Sequence, residues 1–292
     1  MPPRSPLVPS LISAHRDLSP RGRAGRWISL RGLPSLSVIC LGLLASLVAC
    51  GGSGDGSAPD AASAPEVAVE TSDLSLEEIL QSHREALGGD ALDAVETVRK
   101  VGVMDSSAFS GAPAETQIRD GKGYRRDVES PRGKILSGYD GSGAWSKGAT
   151  PDQVEPVWLE ERDQILYASQ SDVDGPLVNP EASGHEVELV GKVGDAYRLR
   201  VRLGGQVERV VDLDASTFLI RAHTETRTFP QGTLDLQVKY SEYREVNGVQ
   251  FAGRVATSMP EIRFDQALIW SEIETGVELD DSVFAFPGEA AP

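Results

Sequence analysis

The second half of the sequence is built from short segments in which apolar and polar residues alternate. Between residues 197 and 203, Tyr, Leu, Val and Leu alternate with three arginines, a period that indicates a half-buried antiparallel strand. Gly204-Gly205 and Asn247-Gly248 are hairpin turn signals, and the first of them pairs Arg202 with Glu208. A long meander of such hairpins must curl or close on itself to protect its edges.

Turn residues also divide the first half of the folded region. A helix is predicted from residue 74, where Ser75 and Glu78 form a capping box, and it ends at Gly88. Strands are predicted at 98–104, 114–120, 124–130 and 134–140 and around Trp145, and a change of period indicates one or two helices in 152–171.

In total the patterns predict about eleven strands, one helix before them and a helical insert after the fifth strand. No shift in composition or linker divides residues 74–287, so we interpret them as one domain, followed by a short tail at 288–292. The predicted fold class is mainly β with helices (α+β), with a single antiparallel sheet.

The N-terminal fifty residues differ from the rest. Six arginines and one acid precede residue 35, and an apolar run ends in Leu47-Val48-Ala49-Cys50. The run has about 15 residues, too few to span a hydrocarbon core and typical of a secretory signal. The order of basic stretch, apolar stretch, small residue and Cys resembles the bacterial lipobox. It implies a signal peptide at 1–49 and a lipid on Cys50; an ordinary secretory signal or a short membrane anchor is the alternative.

Cleavage before Cys50 would leave 22 basic and 43 acidic residues, a net charge of −21. That acidity argues against a nucleic-acid partner, which would require a basic face. Cys40 would leave with the leader, so the folded part has no thiol for catalysis or metal binding. Gly51 follows Cys50, which resembles the sorting signal that directs lipoproteins of Gram-negative bacteria to the outer membrane. Residues 50–73 are small and polar, and we predict a disordered tether with a reach of roughly 25 Å.

Few residues point to catalysis. Of the three histidines after residue 50, His83 is interpreted as a solvated or core-edge residue, and His185 or His223 would be the base if the chain were a hydrolase. Asp172 and Asp174 resemble part of a calcium loop, but the other ligands are missing. No nucleophile elbow, P-loop or dinucleotide motif occurs. We therefore predict no catalytic residues, no metal and no cofactor.

A set of aromatic and aliphatic residues stands out, because strand alternation assigns it to one face. About eight strands already leave room only for side chains or one small ligand, so a wider curved sheet would enclose an apolar cavity suited to an acyl chain. Within one strand, Phe218 and Ile220 are assigned to this face and His223 to the opposite one. Ordinary core is the alternative. The candidate lipid-binding residues are Trp145, Trp158, Leu166, Tyr167, Tyr197, Leu199, Phe218, Ile220, Leu236, Tyr240, Phe264 and Trp270.

Taken in order, several segments resemble a known family, the LolA-like outer-membrane lipoprotein-sorting domain proteins. They are EILQSHREALGGDALDAVETVRKVG, YDGSGAWS, DGPLVN, VVDLDASTFLIR, YSEYREVNGVQF and DSVFAFP, spread over residues 74–287. The resemblance implies an incomplete, strongly curved antiparallel β-barrel with helices covering its opening. It also implies a hydrophobic cavity for lipid or lipoprotein acyl chains, and no catalysis.

The tether distinguishes this chain from a diffusing carrier of that family, because a reach of roughly 25 Å prevents a shuttle from crossing the periplasm. We expect a non-enzymatic lipoprotein, anchored in the outer membrane through the lipid on Cys50 and facing the periplasm. Its expected partners are the membrane, lipid acyl chains or lipoproteins, and a periplasmic protein. The alternatives are a scaffold or sensor module with a filled core, and a hydrolase.

Overall fold

The structure is a computed structural model that describes residues 68–150, 153–229 and 232–288. The predicted signal peptide, the lipidation site Cys50, the tether up to residue 67 and the tail beyond residue 288 lie outside the described residues. The predictions made for those segments remain predictions.

The described residues contain thirteen strands in one antiparallel sheet, two more than the sequence predicts. They are β1 (Thr97–Ser106), β2 (Phe109–Arg119), β3 (Gly123–Ser130), β4 (Gly133–Tyr139), β5 (Ala144–Lys147), β6 (Val157–Trp158), β7 (Glu186–Val193), β8 (Ala196–Leu203), β9 (Val207–Asp214), β10 (Ile220–Phe229), β11 (Gly232–Val246), β12 (Val249–Met259) and β13 (Phe264–Thr275). Their spatial order is β6-β5-β4-β3-β2-β1-β13-β12-β11-β10-β9-β8-β7. Since β6 and β7 are the two edges and do not pair, the sheet is not closed.

Three α-helices accompany the sheet in the described part of the chain: α1 (Leu76–Leu87), α2 (Asp90–Asp93) and α3 (Glu161–Ala168). Two 3₁₀ turns lie at Pro260–Ile262 and Asp281–Val283. The predicted capping box is confirmed, because Glu78 N–H donates to Ser75 Oγ and Ser75 N–H donates to the Glu78 carboxylate at 2.8 Å. The segment 152–171 was predicted to hold only helix, but part of it forms the edge strand β6.

The hairpin of β8 and β9 has the predicted register, with Arg202 opposite Glu208. Its three arginines lie on the outer face and form ion pairs with carboxylates of β7 and β9. Exposed pairs of this kind each contribute about 0–1 kcal/mol. The outer face is therefore solvated, as the alternation predicts, but it is not basic, because four carboxylates of β7 and β9 neutralise the three arginines.

The predicted faces of β10 are wrong, and a β-bulge is the reason. The register shifts between Ile220 and Ala222, so Arg221 is an extra residue that reverses the alternation. As a result Ile220 and His223 both face inward. Phe218 precedes the strand in a left-handed conformation, with φ of 57°.

Strands that are far apart in the sheet line the same cavity, which shows that the sheet is strongly curved. In the sheet, β3 and β9 are seven strand spacings apart, roughly 34 Å if the sheet were flat. Nevertheless Arg126 of β3 and Arg209 of β9 both line one cavity.

Two helices contact both halves of this curved sheet. Helix α3 contacts β3, β4 and β5 as well as β9. On α1, Leu87 packs against the cluster around Val98 of β1, whereas Ile79 belongs to the cluster around Leu199 of β8.

Residues just before the predicted domain boundary at residue 74 contact the sheet. Glu70 exchanges two backbone hydrogen bonds with Lys192 of the edge strand β7, at 2.8 and 2.9 Å. The Tyr197 hydroxyl donates to Asp73 at 3.0 Å. The last residues of the predicted tether are therefore attached to the sheet.

Candidate ligand cavity

A cavity of about 390 Å³ lies inside the curved sheet. It is lined by β1 to β3 on one wall, β9 and β10 on the opposite wall, β11 to β13 between them, and by α1, α3 and the loop after α3. Its volume is within the range of about 300–1,000 Å³ found for small-molecule sites. A larger groove of about 1230 Å³, between α1 and residues 177–182, is more open to solvent.

Apolar side chains occupy two zones of the cavity, and on the β1–β3 wall polar side chains, which we name the polar belt, lie between them. Along β1, Lys100 lies between Val98 and Met104, all on one face. The zone toward the helices contains Val98, Ile118 and Phe251. The zone at the other end of the strands, which we name the apolar end, contains Leu236, Val255, Met259, Phe264, Leu268 and Trp270.

Three neighbouring residues of the polar belt form a row, which we name the cation row: Lys100, Thr116 and Arg126. Cross-strand pairing places Lys100 beside Thr116 and Thr116 beside Arg126. Arg126 Nε–H donates to Thr116 Oγ1 at 3.2 Å. The Lys100 ammonium lies 5.2 Å from the centre of the Phe251 ring, and the Arg126 guanidinium carbon 5.4 Å from that of Tyr124, both within cation–π range.

The cation row has no counter-charge within the described ranges. Among residues 68–150, 153–229 and 232–288, no carboxylate lies within 4.0 Å of the Lys100 ammonium or the Arg126 guanidinium. Burial, together with the positive charge of Arg126, lowers the pKa of Lys100 to about 8. The Lys100 side chain is nevertheless only partly buried, because it borders the cavity.

The opposite wall carries a second charged group, which we name the β9–β10 triad: Arg209, Glu225 and Arg227. The Glu225 side chain is 0% exposed, and its Oε2 accepts from Arg209 Nε at 2.7 Å while Oε1 accepts from Arg227. Burial alone would raise the pKa of Glu225, but the two arginines lower it to about 2. The triad is therefore an ion pair network that is satisfied within the protein.

Two histidines also face the cavity. Burial, together with the charge of Arg209, lowers the pKa of His223 to about 3, so the ring is neutral; its Nδ1 lies 3.1 Å from the Tyr240 hydroxyl. His83 is only 1% exposed, so the prediction of a solvated or core-edge residue is wrong. Its Nδ1–H donates to the Phe218 carbonyl at 2.7 Å, and its Nε2 has no hydrogen-bond partner among the described residues.

His185 and the acidic loop lie away from the polar belt. His185 Nδ1 accepts from the Gly204 N–H at 3.3 Å, outside the cavity lining. Asp172 and Asp174 lie on the rim after α3, where burial and the charge of Asp120 raise the pKa of each to about 6. No group of three metal-ligating side chains occurs within the described ranges.

Seven of the twelve predicted lipid-binding residues line the cavity, and five do not. Those on the lining are Leu166, Tyr167, Ile220, Leu236, Tyr240, Phe264 and Trp270. Those elsewhere are Trp145, Trp158, Tyr197, Leu199 and Phe218.

Each of these five has a local reason for its position. Trp145 is fully buried beside the C-terminal segment, where its indole N–H donates to the Phe284 carbonyl at 3.0 Å. Trp158 is 46% exposed because β6 is an edge strand. Tyr197 stacks on Phe218 at 5.7 Å, and Leu199 belongs to the same solid cluster under α1.

The charged residues of the polar belt and of the β9–β10 triad are absent from the sequence-based candidates. One signal was available, since Lys100 shares its face with Val98 and Met104 by simple alternation. Glu225 and Arg227 carried no such signal, because the bulge at Arg221 reverses the apparent faces of β10.

Searches with the sequence find no matching family model and no matching curated protein. None of the helices in the described ranges has the length and apolar character needed to cross a membrane. Comparison of the structure with solved structures is more informative.

Three solved structures are similar to this chain. A DUF1329 family protein from Desulfovibrio piger gives a TM-score of 0.50 at 15% identity, covering 72% of this chain and 97% of its own. A LolA superfamily protein from Nitrosomonas europaea gives 0.48 at 12% identity, covering 73% and 98%. An outer membrane lipoprotein-sorting protein domain from Vibrio parahaemolyticus gives 0.48 at 13% identity, covering 72% and 97%.

At these identities the similarity concerns the fold alone. The Desulfovibrio piger structure shows that the curved, open sheet is a fold that other proteins share.

Proposed function

We propose that this protein is a non-enzymatic, membrane-anchored module that binds one acyl chain of a lipid or lipoprotein in its internal cavity. The observation that carries the proposal is the cavity itself: about 390 Å³ enclosed by a curved sheet, with apolar side chains over much of its lining. The LolA-like resemblance of the sequence supports the same class of ligand.

The size of the cavity argues against a scaffold with a filled core. Protein interiors are packed as densely as organic crystals, and voids larger than a water molecule are few. The space is therefore better explained as a site for water and an exchangeable ligand than as a packing defect.

Within this proposal, α1 and α3 cover the opening of the sheet and α3 is the movable part. Helix α3 has few polar connections to the β9–β10 side. Arg162 donates to the Thr226 carbonyl at 2.6 Å, and Glu161 accepts from Gln206 at 3.2 Å. Because both contacts are solvent-exposed, their rupture has a small cost, and an acyl chain would enter where they separate.

Anchoring through a lipid on Cys50 at the periplasmic face of the outer membrane completes the proposal. The support is the lipobox-like sequence and the Gly that follows it. In this arrangement the cavity receives lipid or lipoprotein from a membrane or from a periplasmic protein partner. A role in sorting or in sensing envelope lipids follows from the anchored position.

A cavity-filling pair of variants tests the proposal. The protein is the chain from residue 50 onward with Cys50→Ser, its proposed mature form without lipid. Val255 faces the cavity and Ala256, the next residue of β12, faces outward. We expect Val255→Trp to raise the palmitate concentration that displaces an apolar fluorescent probe by about tenfold or more. We expect Ala256→Trp to leave that concentration unchanged. Equal displacement in both variants would place acyl-chain binding outside the cavity and contradict the proposal.

A further inference from the structure

We propose that the ligand is an amphiphile with an anionic head group, and that the head group binds at the cation row between Lys100 and Arg126 while the chain fills the apolar end. This inference rests on the acyl-chain binding proposed above and names the chemistry of the head group.

The charges of the cavity do not balance. Of the residues that the structure describes, four cations face it, Lys100, Arg126, Arg209 and Arg227, against one buried carboxylate on the strands, Glu225. Both Glu225 oxygens are already occupied by Arg209 and Arg227. Asp172 and Asp174 lie on the rim, and neither forms an ion pair with the cation row.

Among the described residues, the half-buried cation row has no carboxylate partner of the kind that the β9–β10 triad has. Arg126 has one side-chain hydrogen bond, to Thr116, and a ring contact; Lys100 has a ring contact with Phe251. A cation removed from bulk water without a counter-ion is unfavourable compared with an apolar side chain of similar size. Such an arrangement is retained when an anion from outside completes it.

The geometry of the row suits a single anionic group. Lys100 and Arg126 are on strands two spacings apart, so their backbones are roughly 10 Å apart. Both side chains are long, and Arg126 already reaches Thr116 between them. A carboxylate or phosphate above Thr116 would receive the ammonium, the guanidinium fork and the hydroxyl, a donor set well suited to oxyanions.

The apolar surroundings determine that this anion carries a chain. From the cation row the cavity continues along the strands to Leu236, Met259, Phe264 and Leu268. A free inorganic anion would leave that zone without a partner. A head group at the row therefore places an acyl chain against the apolar end.

Paired ligands separate the head group from the chain. The delipidated chain from residue 50 onward with Cys50→Ser is titrated with palmitate, hexadecanol, a monoacylglycerol phosphate and inorganic phosphate. We expect both anionic amphiphiles to bind about tenfold or more tightly than hexadecanol. The stronger of the two identifies the head group as carboxylate or phosphate. Binding of inorganic phosphate without either amphiphile would overturn the inference.

Substitutions locate the head group. Lys100→Met and Arg126→Met should each reduce palmitate affinity toward that of hexadecanol and leave hexadecanol binding unchanged. Lys239→Met, an exposed lysine on the outer face of β11, is the matched control and should change neither. Because hexadecanol binding also reports correct folding, a variant that fails to fold is recognised at once.

The outcomes distinguish this inference from the proposed function. Equal affinities for palmitate and hexadecanol would overturn the anionic head group while acyl-chain binding stands. A preference for palmitate that survives both Lys100→Met and Arg126→Met would place the head group elsewhere and overturn the assignment to the cation row. If no chain-bearing ligand binds, the proposed function itself is wrong.

Discussion

The two walls of the cavity carry similar cations, but they differ in whether a carboxylate pairs with those cations. On the β9–β10 wall, Arg209 and Arg227 share the buried carboxylate of Glu225. On the β1–β3 wall, Lys100 and Arg126 share no carboxylate from the described part of the chain and are stabilised by a hydroxyl and by two ring faces. The comparison teaches that charge inside a cavity is not by itself evidence of a ligand. The absence of an internal counter-charge distinguishes the proposed anion site at the cation row from the structural ion-pair network of the β9–β10 triad.

The largest expected effect concerns the satisfied wall. Glu225→Gln would leave two buried guanidinium groups without their counter-charge, and we expect a loss of about 3 kcal/mol in the free energy of unfolding. Glu208→Gln is the control, because Glu208 pairs with exposed arginines on the outer face and should cost less than about 1 kcal/mol. Urea unfolding of both variants measures the difference; equal losses would remove the distinction between the buried triad and the surface pairs.

Acid titration tests the same wall in another way. The pKa of Glu225 is lowered from 4.5 to about 2 in the folded protein. The stabilisation that this shift provides is therefore complete above about pH 4.5 and is lost as the pH falls toward 2. We expect the free energies of unfolding of the native protein and of Glu225→Gln, measured as a function of pH, to converge across that window. A difference in free energy of unfolding that stays constant from pH 6 to pH 3 would show that Glu225 is not held ionised.

On the β1–β3 wall, removal of a charge should increase the free energy of unfolding instead of lowering it. Lys100→Met removes a cation that lacks a counter-charge, so we expect the ligand-free protein to gain about 1 kcal/mol of stability at pH 7. Lys239→Met should change stability by less than about 0.5 kcal/mol. Thermal unfolding of the delipidated proteins is the measurement. Destabilisation by Lys100→Met would mean that Lys100 is a structural residue, like those of the triad.

The gain should also depend on pH. The pKa of Lys100 is lowered from 10.5 to about 8, so between these values the unfolded chain binds more protons and stability rises with pH. Lys100→Met should therefore lose its advantage between pH 8 and pH 10.5. On the cavity, His83 and His223 are neutral in this window, the carboxylates are ionised, and burial raises the pKa of Tyr240 and Tyr243. An advantage as large at pH 10.5 as at pH 7 would contradict the assignment.

The smallest effect concerns the contact between α3 and the β9–β10 wall. Arg162→Met removes the hydrogen bond to the Thr226 carbonyl, which contributes about 0.5–1 kcal/mol. If α3 is the movable cover, probe release should become about two- to fivefold faster, with little change in unfolding. Arg200→Met, on the outer face of β8, is the control. Stopped-flow fluorescence distinguishes them, and identical release rates would exclude α3 from the opening step.

Local chemistry predicted the parts of the fold that depend on neighbouring residues. The capping box at Ser75 and Glu78 and the register of Arg202 with Glu208 both involve residues close in sequence. Alternation also predicted an antiparallel meander. The pairing of β1 with β13, which closes the middle of the sheet, joins residues roughly 170 positions apart, and no local pattern specifies it.

The candidate site was only partly predictable for a related reason. Alternation shows which residues share a face, and it correctly grouped Leu236 with Tyr240 on the cavity lining. It does not show what lies opposite, so the ion pairs of Glu225 and the lack of one at Lys100 emerge only in three dimensions. A single bulge at Arg221 was enough to reverse the predicted faces of β10.

Native mass spectrometry of the chain from residue 50 onward with Cys50→Ser, purified without detergent, is the most direct test of ligand binding in the cavity. The account predicts one amphiphile per protein, released by organic solvent and rebound in a one-to-one ratio when palmitate is added. A protein that is purified empty and takes up no chain-bearing ligand would contradict it.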